Sequence, residues 1–558
     1  MSSLELVKTK NSEFKEEYPN LIKTIKNKQL REYEPKIDEI DKVYKIIIDF
    51  IKEKQRKIYG GYALNLLLSV KDKKMALYDE TDIKTADIDF YSPNALDDLV
   101  ELCNKISDAG FKPVTGQEAQ HKETYSIFVN YRLYCDITYI PNNIYKKSRF
   151  IQIDGFNVIH PWFMMIDYFR MFTDPMISYW RLEKHFERYM LIQKTYQLPL
   201  IKKPLILAPY KKPEIIQAID LIFDFITNKE TILLTGFYIY NYYLYESNYR
   251  KNNKNYEFLN MPYLEAYSID YIKDGLDILD FVKSLPENIS SKITYKEYYP
   301  FFQFYGHNFV LYFDDGTDTF PILYCYSNNK RCVPYKQVDC IKFSNNNSPL
   351  VDNKKKINIG SFDHNILHAL IILVKIRVDD DNDWNDVLYK YINGLVAFRN
   401  YYLETKKKTI YSDTVFQEFV IDCMGETISP DRERRLVIEI RKKLGKPYVF
   451  KYDPNVSKKV GHYVFMNSSG NQITKDSDMK LKKENLSKKI MDELEDEELS
   501  GEHSKQKNIK NKRINSKKEK SENDNIDNIE DTEDIEDIED IEDTEDTDNV
   551  DYNETDVL

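Results

Sequence analysis

The chain has 558 residues, 42% of them hydrophobic and 14% aromatic, which is enough to bury two or three cores and excludes a wholly disordered chain. Its net charge of −12 averages two unlike parts: residues 476–558 hold 30 acidic and 13 basic side chains, which leaves 1–475 at +5. The acidic balance therefore does not exclude a polyanionic partner for the body of the protein.

The start, MSSLELVKTKNSEFKEEYPN, has no apolar signal core, and no apolar run approaches the roughly 20 residues that cross a bilayer. This predicts an intracellular, soluble protein with no membrane partner. The six cysteines (Cys103, Cys135, Cys325, Cys332, Cys340, Cys423) form no CxxC pair, and the Cys325–Cys332–Cys340 spacing matches no zinc pattern, which predicts free thiols. Residues 1–36 are charged and read as a helical segment. From Ile37, the positions Ile40, Tyr44, Ile47, Ile48 and Ile51 recur at helical spacing, so an amphipathic helix over 37–55 should run into Tyr59-Gly60-Gly61. A second helix is expected from Tyr62 through Val70. ADIDFYS (86–92) then alternates as a strand, and the helical run ALDDLVELCNKISDAGF follows it. YSIFVNYRLYCDITYIP (125–141) reads as a strand or hairpin, and 161–196 as a helical block. The Pro-rich LIKKPLILAPYKKP (200–213) predicts a domain boundary.

After that boundary the pattern starts again. IDLIFDFITNKETILLTGFYIYNYYL (219–244) parallels YKIIIDFIKEKQRKIYGGYALNLLL (44–68), with Gly236 over Gly60 and Phe237 over Gly61. YSIDYIKDGLDILDFVKSL (267–285) lies over ADIDFYSPNALDDLVELCNKI (86–106), which sets Ser268 against Asp87 and Asp270 against Asp89. His364 and Trp384 echo His160 and Trp180. The sequence thus predicts an internal duplication. From about 476 onward a basic block (505–520) and an acidic repeat cannot bury enough apolar surface to offset chain entropy, which predicts a disordered tail.

The chemistry concentrates in the first copy. In a strand, Asp87 and Asp89 share one face about 7 Å apart while Ile88 and Phe90 fill the other. Asp136, in LYCDITYI, offers a third carboxylate from a neighbouring strand. Such an oxygen-only set suits Mg²⁺ or Mn²⁺. The Gly60-Gly61 pair can take positive φ and bring bare N–H groups, at a helix start, up to a phosphate. Each feature alone also fits a plainer account: a solvated strand face for the aspartates, a tight turn for the glycines. Arg181, Lys184 and Arg188, beside Tyr179, Trp180, Phe186 and Tyr189, form a basic and aromatic stripe; such a stripe is more often a surface face over a core seam, but it also suits single-stranded RNA.

In the order helix–Gly60-Gly61–helix–Asp87-Ile88-Asp89-Phe90–strand–Asp136, the chain resembles the polymerase-β-type nucleotidyltransferase superfamily. More narrowly it resembles the catalytic subunits of the poly(A) polymerases of poxviruses and giant cytoplasmic DNA viruses, over roughly residues 40–450. The resemblance implies an α/β (α+β) chain of two tandem nucleotidyltransferase-like modules, the first active and the second degenerate, with helical additions and a disordered acidic tail. In residues this is an N-terminal helical segment (1–36), a catalytic domain (37–200), a degenerate copy with helices (205–450), a C-terminal extension (451–475) and the tail (476–558). It implies template-independent addition of AMP from ATP to RNA 3′ ends, in mRNA 3′-end processing. Two metal ions, Mg²⁺ or Mn²⁺, would be held by Asp87, Asp89 and Asp136 about 3.5–4 Å apart, with Gly60 and Gly61 on the nucleotide phosphates. A separate processivity partner and a homodimer both remain open, as does packaging in a virion beside a place in the host cytoplasm. Two departures stand out. Many relatives have Gly-Ser where this chain has Gly60-Gly61, and the 27 positions from Gly60 to Asp87 imply an insertion around 70–84. The rival readings are a toxin- or antitoxin-type nucleotidyltransferase acting on tRNA or protein, and an inactive RNA-binding scaffold.

Overall fold

The computed structural model describes residues 10–456, except 33–34, 80–81, 202, 209–211, 330, 344–348, 379–383 and 444–448, together with 465–466 and 472–473. The expected disordered tail, 476–558, lies outside the described residues.

After a first helix, Asn11–Glu32, the amphipathic run forms the helix Ile37–Glu53, which buries Ile40, Val43, Tyr44, Ile47, Phe50 and Ile51. It feeds a sheet made of β1 (Lys57–Tyr59), β2 (Asp89–Ser92), β3 (Val114–Glu118), β4 (Thr124–Val129), β5 (Arg132–Tyr139), β6 (Phe150–Ile153) and β7 (Phe156–Ile159). The expected hairpin is β4–β5; Asn130 and Tyr131 both take positive φ in its turn, the conformation that matches the twist of paired strands. The helices Pro161–Phe172 and Leu182–Thr195 follow. Past the Pro-rich stretch, the helix Pro213–Ile226 leads into a second sheet. Its strands are β8 (Ile232–Thr235), β9 (Leu264–Ser268), β10 (Ile293–Tyr298), β11 (Asn308–Asp314), β12 (Thr319–Ser327), β13 (Val333–Phe343), β14 (Pro349–Gly360) and β15 (Cys423–Met424). The chain then returns to the first sheet, where β16 (Val449–Tyr452) pairs with β3, and β17 (Phe465–Met466) and β18 (Gln472–Ile473) extend that edge.

Seven strands of each sheet repeat one topology. The first runs β3-β4-β5-β2-β1-β7-β6 and the second β10-β11-β12-β9-β8-β14-β13. Directions repeat too: β1–β2 and β8–β9 are antiparallel, β2–β5 and β9–β12 parallel, β1–β7 and β8–β14 parallel. The duplication expected from sequence is therefore a repeat of strand order and direction.

One face of the first sheet is covered by the helices Ile37–Glu53 and Ala95–Asp108, with Phe50 against Phe90 at 6.3 Å between ring centres. By strand alternation Asp89 and Tyr91 point to the other face. Tyr91 stacks on Tyr59 there at 4.1 Å and is met edge-on by Phe163 and by Phe302 of the second half. Gln303 Nε2 donates to the Lys122 carbonyl at 3.4 Å, so the 301–305 turn of the second half sits over the first sheet's open face.

The thiol expectation needs correction. Cys103, Cys135, Cys325 and Cys340 are free and buried, but Cys332 and Cys423 are disulfide-bonded, with Cα atoms 5.4 Å apart. Pairing of β13 with β15 sets Pro334 opposite Cys423 and so brings together two residues 91 positions apart, a proximity that no local spacing encodes.

Candidate active site

The site is built where β1 ends against the start of β2. The register sets Tyr59 opposite Asp89, and the chain then turns at Gly60 with φ +75° into the helix Gly60–Ser69. A Cβ on Gly60 would lie 2.2 Å from Asp89 Oδ2, so only glycine lets the turn pass this close to the carboxylate. Phe90 pairs with Ile137 in parallel register, which makes Asp89 and Asp136 neighbours on the open face. The Asp136 N–H donates to the Asp89 carboxylate, and Ser126 Oγ donates to Asp136 Oδ1 at 2.6 Å. Asp87 precedes the strand, which begins at Asp89, yet the Ile88 N–H still bonds the Tyr134 carbonyl at 3.2 Å and carries the pairing one step further. Asp87 is exposed, whereas Asp89 and Asp136 are half-buried.

Desolvation, then the charges of Asp87 and Asp136, push the Asp89 carboxyl well above the usual carboxylate range; the Arg188 guanidinium and the Asp136 N–H act in the opposite sense. Among the described residues no three His, Cys, Asp or Glu side chains are closed into a metal-ligating group. The three aspartates are neighbours whose charges act on one another. An oxygen-only donor set under mutual repulsion is the chemistry that a hard divalent cation relieves, so these residues fit one.

The basic stripe divides. Arg188 stands at the glycine turn: its Nη1 would be 3.7 Å from a Cβ on Gly61, and its charge reaches Asp89. Arg181, in the turn before the helix Leu182–Thr195, lies 4.1 Å over the Trp180 ring, and Tyr179 and Trp180 are 73% and 60% exposed. The Lys184 charge acts on His185. Sequence reasoning missed several groups nearby. Burial and the charges of Arg181, Arg170 and Arg331 hold the His121 imidazole below its ordinary value, so guanidiniums from both halves converge beside the β3–β4 turn. Arg331 belongs to the second half, and nothing local to it in sequence announces that meeting.

The second sheet repeats the frame and not the carboxylates. Gly236 turns with φ +65°, and a Cβ there would lie 1.7 Å from Glu265 Oε2. Thr235 pairs with Glu265 as Tyr59 pairs with Asp89, and Glu265 stands opposite Tyr324 as Asp89 stands beside Asp136. Ser268 donates to Asp274 as Ser92 donates to Asp98. The sequence alignment is therefore corrected: Glu265, not Asp270, corresponds to Asp89, and Ser268 corresponds to Ser92, not Asp87. The look-alike pair ID in YSIDY and ADIDF outweighed a register that only the strand pairing reveals. Counted from Glu265, Tyr263 stands for Asp87 and Tyr324 for Asp136, with their rings 4.8 Å apart. Glu265 Oε1 is met by His368 Nε2 at 3.0 Å, and the His368 Nδ1 lies 3.2 Å from the Tyr267 hydroxyl.

An open-faced sheet with a glycine turn set against neighbouring carboxylates of two parallel strands, all opposite the helical layer, defines a nucleotidyltransferase of the polymerase-β type. Comparison with known proteins narrows the class. A family model described as "Poly(A) polymerase catalytic subunit" matches residues 45–178, and one described as "APMV, Putative poly(A) polymerase, catalytic subunit, C-terminal" matches residues 194–483. The chain is 35% identical over 461 residues to the "Putative poly(A) polymerase catalytic subunit" of Acanthamoeba polyphaga mimivirus, covering 79% of this chain and 76% of the relative. A protein of the same name from African swine fever virus (isolate Pig/Kenya/KEN-50/1950) is 28% identical over 169 residues, 29% of this chain and 35% of its own length. Among solved structures, that of the Megavirus polyadenylate synthase superposes with a TM-score of 0.72 at 32% identity, covering 85% of this chain and 94% of the other. The chain belongs to the poly(A) polymerase catalytic subunit family.

Proposed function

We propose that the chain adds AMP from ATP to RNA 3′ ends without a template, and that Asp87, Asp89 and Asp136 are its catalytic carboxylates. The observation that carries this reading is the approach of the Gly60 turn to Asp89, with Asp136 as its strand neighbour. A nucleotide whose phosphates lie on the Gly60-Gly61 turn has its α-phosphorus facing those carboxylates. The first N–H groups of the helix Gly60–Ser69 then point at phosphate oxygens, where the helix dipole favours negative charge. Asp87, Asp89 and Asp136 would hold two Mg²⁺ or Mn²⁺ ions, which supply Lewis acidity toward the RNA hydroxyl and the departing pyrophosphate. Ser126 and the Asp136 N–H fix the orientation of the carboxylates, so that positioning is completed before reaction. RNA would cross the open face toward Arg181 and Lys184, with Tyr179 and Trp180 available for base stacking. In domain terms the reading assigns 37–200 to catalysis and 205–450 to the degenerate copy, with 1–36, 451–475 and 476–558 as additions.

The test is purified protein with a short labelled RNA, Mg²⁺ or Mn²⁺, and each nucleoside triphosphate in turn. A long ladder with ATP alone is expected, and its length against protein concentration separates a homodimer from a chain that needs another processivity factor. No extension with any nucleotide would overturn the reading.

A further inference from the structure

Two side chains occupy the space above the Gly60-Gly61 turn, and the reaction as derived so far uses neither. A Cβ built on Gly61 would lie 2.3 Å from the Tyr78 hydroxyl oxygen, 3.4 Å from the ring carbon bearing it, and 3.7 Å from Arg188 Nη1. Tyr78 comes from the 70–84 stretch between the helix Gly60–Ser69 and β2, which the sequence presents as an insertion. It is held in register with the turn itself. Asn65, buried on the helix that the turn begins, accepts the N–H groups of Leu77 and Tyr78 at 2.8 and 3.1 Å. Arg188 arrives from the helix Leu182–Thr195, and that helix is tied to the same element just beyond its end, where the Tyr196 hydroxyl donates to the Leu67 carbonyl at 2.7 Å. The Arg188 guanidinium and the Tyr78 hydroxyl thus both lie within 3.7 Å of a Cβ on Gly61, and the phenol carries a proton it can donate to a ligand on the turn.

We propose that Tyr78 and Arg188 bind the terminal phosphates of ATP over the Gly60-Gly61 turn, with the Tyr78 hydroxyl in the place where a side chain on residue 61 would put a donor. This rests on the nucleotidyltransferase reading above. A phosphate oxygen on the turn would take the phenolic proton of Tyr78, while N–H groups of the guanidinium fork meet a second oxygen. Tyr78 thereby brings part of the inserted stretch into the nucleotide site, and Arg188 serves the triphosphate rather than the RNA strand. Tyr78 and Arg188 are positioning residues, because the bond that breaks lies at the other end of the phosphate chain.

The discriminating experiment compares equilibrium binding of ATP and of AMP, and KM against kcat, in the full chain with Mg²⁺. Tyr78→Phe keeps the ring and removes the donor. ATP binding should weaken about tenfold, the size of one hydrogen bond to a charged group, while AMP binding and kcat at saturating ATP stay near wild type. Gly61→Ser alone sets a Cβ against the Tyr78 hydroxyl and should depress ATP binding. In the Tyr78→Phe background the nearest ring carbon is at ordinary contact distance, and the serine hydroxyl should recover part of the lost affinity. A Tyr78→Phe chain that binds ATP like wild type, or that loses ATP and AMP equally, would overturn the proposal and leave the enzyme reading standing. A wild-type chain that neither extends RNA nor prefers ATP to AMP would overturn the enzyme reading itself.

Discussion

The two sheets share strand order, strand direction, a positive-φ glycine, and a serine that donates to an aspartate at the head of the next helix, yet they treat charge in opposite ways. The first gathers Asp87, Asp89 and Asp136 and leaves Asp89 under repulsion. The second keeps one acid, Glu265, and answers it with His368, while Tyr263 and Tyr324 fill the positions of the other two. Repulsion among like charges destabilises a fold unless it serves a ligand. The proposal of one catalytic and one architectural copy rests on that contrast: repulsion among three carboxylates in the first, a single carboxylate beside His368 in the second. In the second, the Phe237 ring packs against Tyr263, Tyr391 and Trp384, where the first copy has Gly61 with Tyr78 and Arg188 above it.

Substitution at the equivalent acids gives the largest expected contrast. Asp89→Asn should lower RNA extension about a thousandfold or more, by analogy with loss of one preorganised electrostatic group, whereas Glu265→Gln should leave extension within a fewfold of wild type. Thermal melting should move the other way. Asp89→Asn should melt no lower than wild type, because it removes a carboxylate that two others repel. Equal loss of extension from Glu265→Gln would break the assignment of one active and one inactive copy. Next in size, His368→Ala should destabilise the chain by about 3 kcal/mol, the cost of leaving a buried carboxylate without its partner. That loss should be read as a lower melting temperature with extension unchanged at permissive temperature. Coupling the two changes tests the pairing: in a Glu265→Gln background the penalty for His368→Ala should shrink.

What could be read from sequence follows how local the signal is. The helix Ile37–Glu53, the β4–β5 hairpin and the glycine turn are each written in fewer than about twenty consecutive residues, and each was expected where it stands. The repeat was visible because it reproduces local patterns in the same order. Its register was not, because the correspondence of Glu265 with Asp89 depends on partners across the sheet, and a matching dipeptide five residues downstream offered a better local fit. The same limit hid the Cys332–Cys423 bond and the meeting of Arg331 with Arg170. Tyr78 was hidden differently: the 70–84 stretch looked like spacing because its function lies in where Asn65 holds it, not in its own composition.

The smallest expected effect concerns the aspartate that heads the equivalent helices. Asp98 is gripped by Arg56, whose Nη2 donates to Oδ1 at 2.8 Å while Nε lies 2.7 Å from Oδ2, both side chains being nearly buried. Asp274 instead takes Thr231 Oγ1 at 2.8 Å and has Lys229 Nζ at 3.3 Å, and that lysine also serves Asp277. One position thus has a guanidinium set against both carboxylate oxygens, and the other a hydroxyl with a shared point charge. Arg56→Lys should destabilise by about 1–2 kcal/mol, since an ammonium cannot meet both oxygens at once. Lys229→Arg should stay within about 0.5 kcal/mol, because Thr231 and Ser268 already satisfy Asp274. Denaturant midpoints of the two variants decide it. Equal losses would mean that the aspartate needs a cation of either kind. Unequal losses would mean that the two copies, identical in strand order, now hold the same helix by different chemistry.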